Sequence, residues 1–310
     1  MKNYKFIIIA SASLLLASCS TQRKTLTFIC FGDWGRDGNF GQKETAEQMG
    51  IYAEKNEADF ILTLGDNFYE TGVTGTDDPK WQNSFENIYT APSLQIPWYV
   101  TLGNHDYGGS IQAQINYSRI SKRWNLPARY YSFEKNIDES ARVLFVIIDT
   151  NPFIKNYLDS VRENEELNAV SVNDLRQQDT KLQLHWIDSV LSHSAARWKI
   201  VAGHHPVYSG GVHGNTKELV ERLKPVLEKN NVTMYICGHD HDMQYLKESG
   251  SKVNYFVAGS GSQLRPAGKM DYTIYSNSVN GFLSVKITDA DIKASFIDVN
   301  GQELYSTAIK

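Results

Sequence analysis

Phe60-Ile61-Leu62-Thr63-Leu64-Gly65-Asp66-Asn67-Phe68-Tyr69 opens as a short apolar run and closes on a glycine, an acid, an amide and two aromatics. The run from Phe60 to Leu64 has the length and composition of a buried strand. Gly65 lets the chain turn sharply and brings the following side chain out at the sheet edge. The same arrangement recurs along the chain. Phe31-Gly32-Asp33-Trp34-Gly35 closes a strand over Leu26 to Phe31, and Leu102-Gly103-Asn104-His105-Asp106 closes one over Trp98 to Leu102. Ala202-Gly203-His204-His205-Pro206 follows Ile200 to Ala202, and Cys237-Gly238-His239-Asp240-His241 follows Met234 to Cys237. Five such strand ends side by side would aim their donors at a single point.

Outward from these motifs, strand-like and helix-like runs alternate, which predicts an α/β fold. Helical spacing is read over Gln42 to Lys55, Trp81 to Tyr89, Asp179 to Ser194 and Lys217 to Lys229, and a further strand over Val143 to Ile148. In the Asp179–Ser194 helix the apolar positions are Leu182, Leu184, Ile187, Val190 and Leu191. After Tyr245 strand follows strand: Tyr255 to Ala258, Phe282 to Ile287, Ile292 to Ile297 and Leu304 to Ala308. Asn151 to Gln178 is the one long polar connection, and no repeat or linker divides the chain. Residues 26–310 are therefore expected to form a single domain with a β-rich core and helices outside.

The first residues read as a targeting segment. Lys2 and Lys5 precede a short apolar run, Phe6 to Leu16, and Leu16-Ala17-Ser18-Cys19 looks like a bacterial lipobox. On this reading residues 1–18 are a signal peptide, Cys19 carries a lipid, and residues 19–25 are a short tether. A cell-envelope location, periplasmic or on the outer-membrane face, follows. The chain carries a net charge of −4, and residues 1–18 hold two lysines and no acid, so the remainder is more acidic still. That balance is no footprint for nucleic acid. With Cys19 assigned to the anchor, Cys30 and Cys237 are left on apolar runs, either as buried free thiols or as one disulfide.

The donors at the strand ends are carboxylates, an amide, a phenol and imidazoles, a set that suits Fe, Mn or Zn. Asp33, Asp66, Tyr69, Asn104, His204, His239 and His241 are seven donors, enough for two ions that share a carboxylate. His185 and His193, on the Asp179–Ser194 helix, are read as surface or satisfied core residues rather than metal ligands. Gly259-Ser260-Gly261-Ser262 lacks the Lys-Ser/Thr of a phosphate loop and reads as a turn.

Taken together, Gly-Asp-Trp-Gly, Gly-Asp-Asn-Phe-Tyr, Gly-Asn-His-Asp, Gly-His-His-Pro and Gly-His-Asp-His resemble the purple acid phosphatases of the calcineurin-like metallophosphoesterase superfamily, in particular their small single-domain type. The resemblance runs from Leu26 to the C-terminal strands. It implies a four-layer α/β/β/α metallophosphoesterase sandwich. It implies hydrolysis of phosphate monoesters by a metal-bound hydroxide at an Fe(III)–M(II) centre, where M is Fe, Zn or Mn. Asp33, Tyr69, His241 and bridging Asp66 would form the ferric site, and Asp66, Asn104, His204 and His239 the divalent one. His105 and His213 match the histidines that contact phosphate and assist the leaving group. Small phosphate esters or phosphopeptides are the expected substrates, a monomer the expected state, and the lipid anchor the expected membrane link. Two departures stand out: His205 replaces a tyrosine, and Val212 replaces a glutamate that would orient His213. A Mn- or Zn-dependent phosphodiesterase and a non-catalytic surface lipoprotein are the alternative readings.

Overall fold

A computed structural model describes residues 25–138, 141–159 and 169–310. The expected signal peptide, Cys19 and the middle of the Asn151–Gln178 connection lie outside the described residues. Strands β1 (Leu26–Phe31), β2 (Phe60–Thr63), β3 (Trp98–Tyr99) and β4 (Trp124–Asn125) build one half of a first sheet. The next seven strands make a second sheet: β5 (Tyr131–Asn136), β6 (Arg142–Ile147), β7 (Trp198–Ala202), β8 (Met234–Cys237), β9 (Met243–Leu246), β10 (Asn254–Ala258) and β11 (Thr273–Asn277). The chain then returns to the first sheet with β12 (Gly281–Ile287), β13 (Ile292–Asp298) and β14 (Glu303–Ile309). The orders are β14-β13-β12-β1-β2-β3-β4 and β11-β9-β10-β8-β7-β6-β5, both sheets mixing parallel and antiparallel pairs.

Side-chain alternation explains the layering. In β6, Val143, Phe145 and Ile147 face the space between the sheets, while Leu144 and Val146, with Ile148 just beyond the strand, face the outer helices. Phe145 stacks on Phe133 at 4.9 Å and meets Phe28 and Phe60 edge-on at 5.4 and 5.3 Å, so aromatics from both sheets lock together. The Gln42–Asn56 helix covers the first sheet against β1 and β12, and the Thr180–His193 helix covers the second against β6. The result is the expected four-layer α/β/β/α sandwich.

Several local expectations are revised. The five motif-bearing strands do not lie side by side in one sheet: β1, β2 and β3 belong to the first and β7 and β8 to the second. The Lys217–Lys229 helix is two, Lys217–Arg222 and Lys224–Lys229, because Pro225 has no N–H to give and constrains the residue before it. Trp81–Glu86 is a π-helix, shorter than the Trp81–Tyr89 reading, and the third strand pairs only over Trp98–Tyr99. In the Thr180–His193 helix Leu182 is exposed, and the inward stripe is Gln183, Ile187 and Leu191. Buried Gln183 is satisfied by the backbone of Asp149, accepting from its N–H at 3.0 Å and donating to its carbonyl at 3.1 Å. The described ends of the Asn151–Gln178 connection are helical, over Asn151–Phe153, Lys155–Asp159 and Ala169–Arg176. Cys30 and Cys237 are buried free thiols that donate to the carbonyls of Leu283 and Phe256, and no disulfide joins them.

Phe145→Ala would leave a cavity where four rings meet. We expect it to cost about 3–5 kcal/mol of stability, read as a lower midpoint in urea unfolding with an unchanged slope.

Candidate metal centre

The space a glycine leaves, more than the turn it makes, shapes the strand ends. Of the five motif glycines only Gly65 has a left-handed backbone, at φ 91°. At three edges the expected donor residue itself takes the left-handed turn: Asp33, Asp66 and His239 have φ of 61°, 50° and 70°. Such conformations cost non-glycine residues of order 1 kcal/mol each and cluster at functional sites. The neighbouring glycines clear space for carboxylates. A Cβ on Gly103 would sit 2.1 Å from Asp66 Oδ1, and one on Gly238 2.4 Å from Asp33 Oδ2.

All seven predicted donors meet between the two sheets. Tyr69 Oη lies 3.1 Å from Asp33 Oδ1, 3.0 Å from Asp66 Oδ2 and 3.2 Å from His241 Nε2. His204 Nε2 lies 3.3 Å from the same Asp66 Oδ2, 3.1 Å from Asn104 Oδ1 and 3.3 Å from His239 Nδ1. One oxygen of Asp66 therefore stands between two clusters, as a shared carboxylate must. Each cluster faces this oxygen with fixed ring orientations. His204 Nδ1 donates to the Leu64 carbonyl at 2.8 Å and His241 Nδ1 to that of Gln263 at 2.7 Å, which aims each Nε2 inward. Asp33 Oδ2 accepts from the His239 N–H and Asp66 Oδ1 from the His105 N–H, both at 2.9 Å.

The charges are matched to a cation. Burial raises the Asp33 carboxyl well above its usual range, helped by the charge of Asp66 and opposed by His204. Burial works on Asp66 too, but the charges of His204 and His105 and the hydrogen bonds they make outweigh it and hold that carboxyl far below its usual range. His204 responds in kind: burial favours the neutral ring, yet the Asp66 charge and its hydrogen bond push the ring up to about 9. Burial drives His241 down to about 3, with the Arg265 charge adding to it, and burial with the neighbouring imidazoles keeps His239 unprotonated. Burial and the Asp33 and Asp66 charges hold the Tyr69 phenol well above its ordinary value. Two buried carboxylates, a phenol, an amide and inward imidazoles are a donor set that fits hard or borderline metal ions. By proximity alone, Asp33, Asp66 and His204 could hold one ion and His204, His205 and His239 another. His205 was not expected as a ligand, and its ring nitrogens are engaged by Thr150 Oγ1 at 2.8 Å and Tyr157 Oη at 3.0 Å.

The two predicted catalytic histidines line a cavity of about 520 Å³ with Asp66, Asn104, His239 and His241. The His105 ring packs on Tyr69 at 4.2 Å, with Nε2 3.9 Å from Asp66 Oδ2. The His213 ring lies 4.2 Å from His239. Val212, expected to leave His213 without an orienter, is exposed, and buried Asp240 takes over that task. Its Oδ1 accepts from the His213 N–H at 3.0 Å and from Nδ1 at 2.9 Å. Ser209 donates to its other oxygen.

Other supporting residues were invisible as roles in the sequence, although most stand inside the motifs. Asp106 accepts from the N–H groups of Gly103 and Asn67 at 2.8 and 3.1 Å, and the Asn67 side chain joins Trp34, Thr63 and Thr101. Arg36 lies 3.6 Å over the Tyr69 ring. The Gly259–Ser262 turn packs behind Asp33, where Ser262 donates to the Asp33 carbonyl. His185 and His193 are at the surface, away from the donors.

The profile of the calcineurin-like phosphoesterase family matches residues 26–243. Purple acid phosphatase 3 of Arabidopsis thaliana is 38% identical over 289 residues, 91% of this chain and 76% of its own. Tartrate-resistant acid phosphatase type 5 of Homo sapiens is 34% identical over 330 residues, 100% of this chain and 98% of its own. Among solved structures, GAP50, the anchor in the inner membrane complex of Plasmodium, superposes with a TM-score of 0.77 at 26% identity, over 93% of this chain and 89% of that one. A purple acid phosphatase from yellow lupin seeds superposes with a TM-score of 0.66 at 17% identity, over 93% of this chain and 54% of its own, a likeness of fold.

Filling the centre must displace the proton that His204, at about 9, holds at pH 7, and the phenolic proton of Tyr69. Loading with a divalent ion at pH 7 should therefore release about one to two protons. Because the His204 value is raised, apparent affinity should rise with pH up to about 9 and fall as the solution is acidified. Calorimetric heats that do not depend on the buffer would contradict this.

Proposed function

This chain belongs to the purple acid phosphatases, within the calcineurin-like phosphoesterases, and on that footing we propose the roles of its residues and its place in the cell. It is a phosphoric monoester hydrolase of the acid phosphatase type, working at a dinuclear Fe(III)–M(II) centre. Asp33, Tyr69, His241 and Asp66 would hold the ferric ion, and Asp66, Asn104, His204 and His239 the divalent one. The observation that carries this assignment is Asp66 Oδ2 at 3.0 Å from the Tyr69 phenol and 3.3 Å from His204 Nε2. A phenol is a hard anionic donor once deprotonated and suits Fe(III). When bound, two such ions supply Lewis acidity toward phosphoryl oxygens and a hydroxide nucleophile near or below neutral pH.

The chain's own groups do the rest. His105 turns Nδ1 to the Glu70 carbonyl, so Nε2 is left facing Asp66 and the cavity, where it can meet a phosphoryl oxygen. Asp240 fixes the His213 ring beside His239. Asn104 and the shared Asp66 sit in the same wall, so the phosphoryl group is gripped where the two donor groups join. The walls beyond are formed by Ile154, Asn156, Tyr157, Asn215 and Thr216, which leaves room for small phosphate esters or phosphopeptides. The complete donor set favours catalysis over a purely anchoring role.

Residues 1–18 act as a signal peptide and Cys19 as the lipidated anchor of a monomer in a bacterial cell envelope, supported by Leu16-Ala17-Ser18-Cys19 after a charged start and an apolar run. Net acidity weighs against nucleic acid as a partner.

Two measurements test this reading. The purified protein should bind iron, show a broad visible band lost in Tyr69→Phe, and hydrolyse p-nitrophenyl phosphate below neutral pH. An iron-free, colourless protein that prefers diesters would move the assignment to a Mn- or Zn-dependent phosphodiesterase. Cys19→Ser should shift the protein from the membrane to the soluble fraction and abolish labelling by a fatty-acid probe; membrane retention without label would remove the anchor.

A further inference from the structure

The chain enters the fold at the end of the sandwich opposite the metal centre. The donors follow the C-terminal ends of β1, β2, β7 and β8. Because β1 runs parallel to β2 and β7 to β8, the starts of these strands share the far end. Leu26 opens β1 there, and one row of the first sheet leads from it through Ile287 and Ile292 to Ile309, each directly opposite the next. At about 4.8 Å per strand, the entry point lies roughly 15 Å from Ile309. The second sheet is tied to the same end. Trp198 Nε1 donates to the Thr288 carbonyl at 2.8 Å, and Arg197 Nε to that of Asp289 at 3.2 Å.

At this end Ile309 and Trp198 line a hollow of about 470 Å³ whose charged side chains are Lys247, Lys252 and Lys310, and no Asp or Glu lines it. Lys247 Nζ donates to the carbonyls of Lys252 and Val253 at 3.1 and 3.2 Å, and Lys252 Nζ to Asn231 Oδ1 at 2.7 Å. These acceptors are neutral, so the ammonium charges are held in place without being balanced. Burial holds the Lys247 ammonium below its ordinary range, opposed by the Glu228 charge. An anion beside a half-buried cation gains more than one beside a fully hydrated cation, because solvent screens the pair less. Exposed Arg197 packs over the ring of Trp198 at 4.8 Å and adds a fourth cation. Asp59 and Asp291, acids of this end, lie on connections of the first sheet, where they accept from the Thr27 N–H and from Thr288 Oγ1.

Resting on the lipid-anchor reading above, we propose that this end of the sandwich docks on an anionic bilayer, with a headgroup phosphate seated between Lys247, Lys252 and Lys310. Six residues, Ser20-Thr21-Gln22-Arg23-Lys24-Thr25, separate Cys19 from Leu26. Such a tether spans at most about 25 Å. It keeps the lysines close to the headgroups and itself adds two cations and no acid. The net acidity of the chain does not decide the matter, because charges act on the membrane only within about 10 Å at ordinary salt. The face nearest the lipid sets the orientation, and acids at the far end are screened. Seating this end on the bilayer turns the metal-centre cavity toward the aqueous side.

The test reconstitutes the protein, as isolated from membranes, in vesicles of phosphatidylcholine alone or mixed equally with phosphatidylglycerol. A water-soluble amine reagent is added, and the labelling of each lysine is read by mass spectrometry. In the anionic vesicles Lys247, Lys252 and Lys310 should label about fivefold more slowly than in the neutral ones, an effect lost in molar salt. Lys217, in the wall of the metal-centre cavity, should label alike in both. Lys252→Glu combined with Lys310→Glu, both at exposed positions, should remove the protection of Lys247 and leave p-nitrophenyl phosphate turnover unchanged. Equal labelling of the three lysines in the two kinds of vesicle would overturn the docking and leave the anchor intact. Protection of the same lysines by inorganic phosphate in neutral vesicles would make the hollow a site for soluble anions and overturn the bilayer as its occupant. A chain that enters neither kind of vesicle would overturn the anchor, and this orientation with it.

Discussion

Two carboxylates, Asp33 and Asp66, are buried in the seam between two sheets, and the rest of the centre follows from keeping them there. A buried charge is tolerated only when it is paired and hydrogen-bonded. Here the pairing is arranged by imidazoles, a phenol and backbone N–H groups that converge on the carboxylates, and a cation completes it. The constraint dictates the strand ends. Donors must come from both sheets, backbones must approach within contact distance, and glycine is the residue that leaves the space. The strain appears on the expected donors themselves, as left-handed turns at Asp33, Asp66 and His239.

Around the donors lies a second set of polar residues that immobilise them. Asp106 and Asn67 tie the loops after the first three strands of one sheet into a single hydrogen-bonded unit, so Asp66, Tyr69 and Asn104 hold their mutual positions. The second sheet contributes His204 and the His239–His241 loop, whose Asp240 reaches away from the metal donors to set His213. Metal ligands depend on such partners for tautomer and orientation. His213 is oriented without a carboxylate at position 212, because Asp240, which stands between His239 and His241, accepts from its N–H and Nδ1.

The sandwich is shared with proteins of differing roles, including phosphatases and an anchor of a membrane complex. Fold alone therefore carries no activity. In this chain all seven expected donors are present, and the cavity wall places a guanidinium and histidines in one space.

Much of this was legible in the sequence because metal chemistry is written in residue identity. Gly-Asp, Gly-Asn-His and Gly-His motifs at the ends of apolar runs name the seven donors and the strands that carry them, since ligands and period-two burial are local signals. Leu26–Phe31 and Met234–Cys237 even have the predicted limits. Short or edge strands such as Thr273–Asn277 carried no such signal, because their pairing partners, not their own hydrophobicity, make them strands. Only the tertiary structure decided that the donors come from two facing sheets, that His205 is engaged elsewhere, and that Asp240 and Arg265 bracket His213. Those relations join residues far apart in the chain, and local composition says nothing about which distant side chains packing will bring within hydrogen-bond reach.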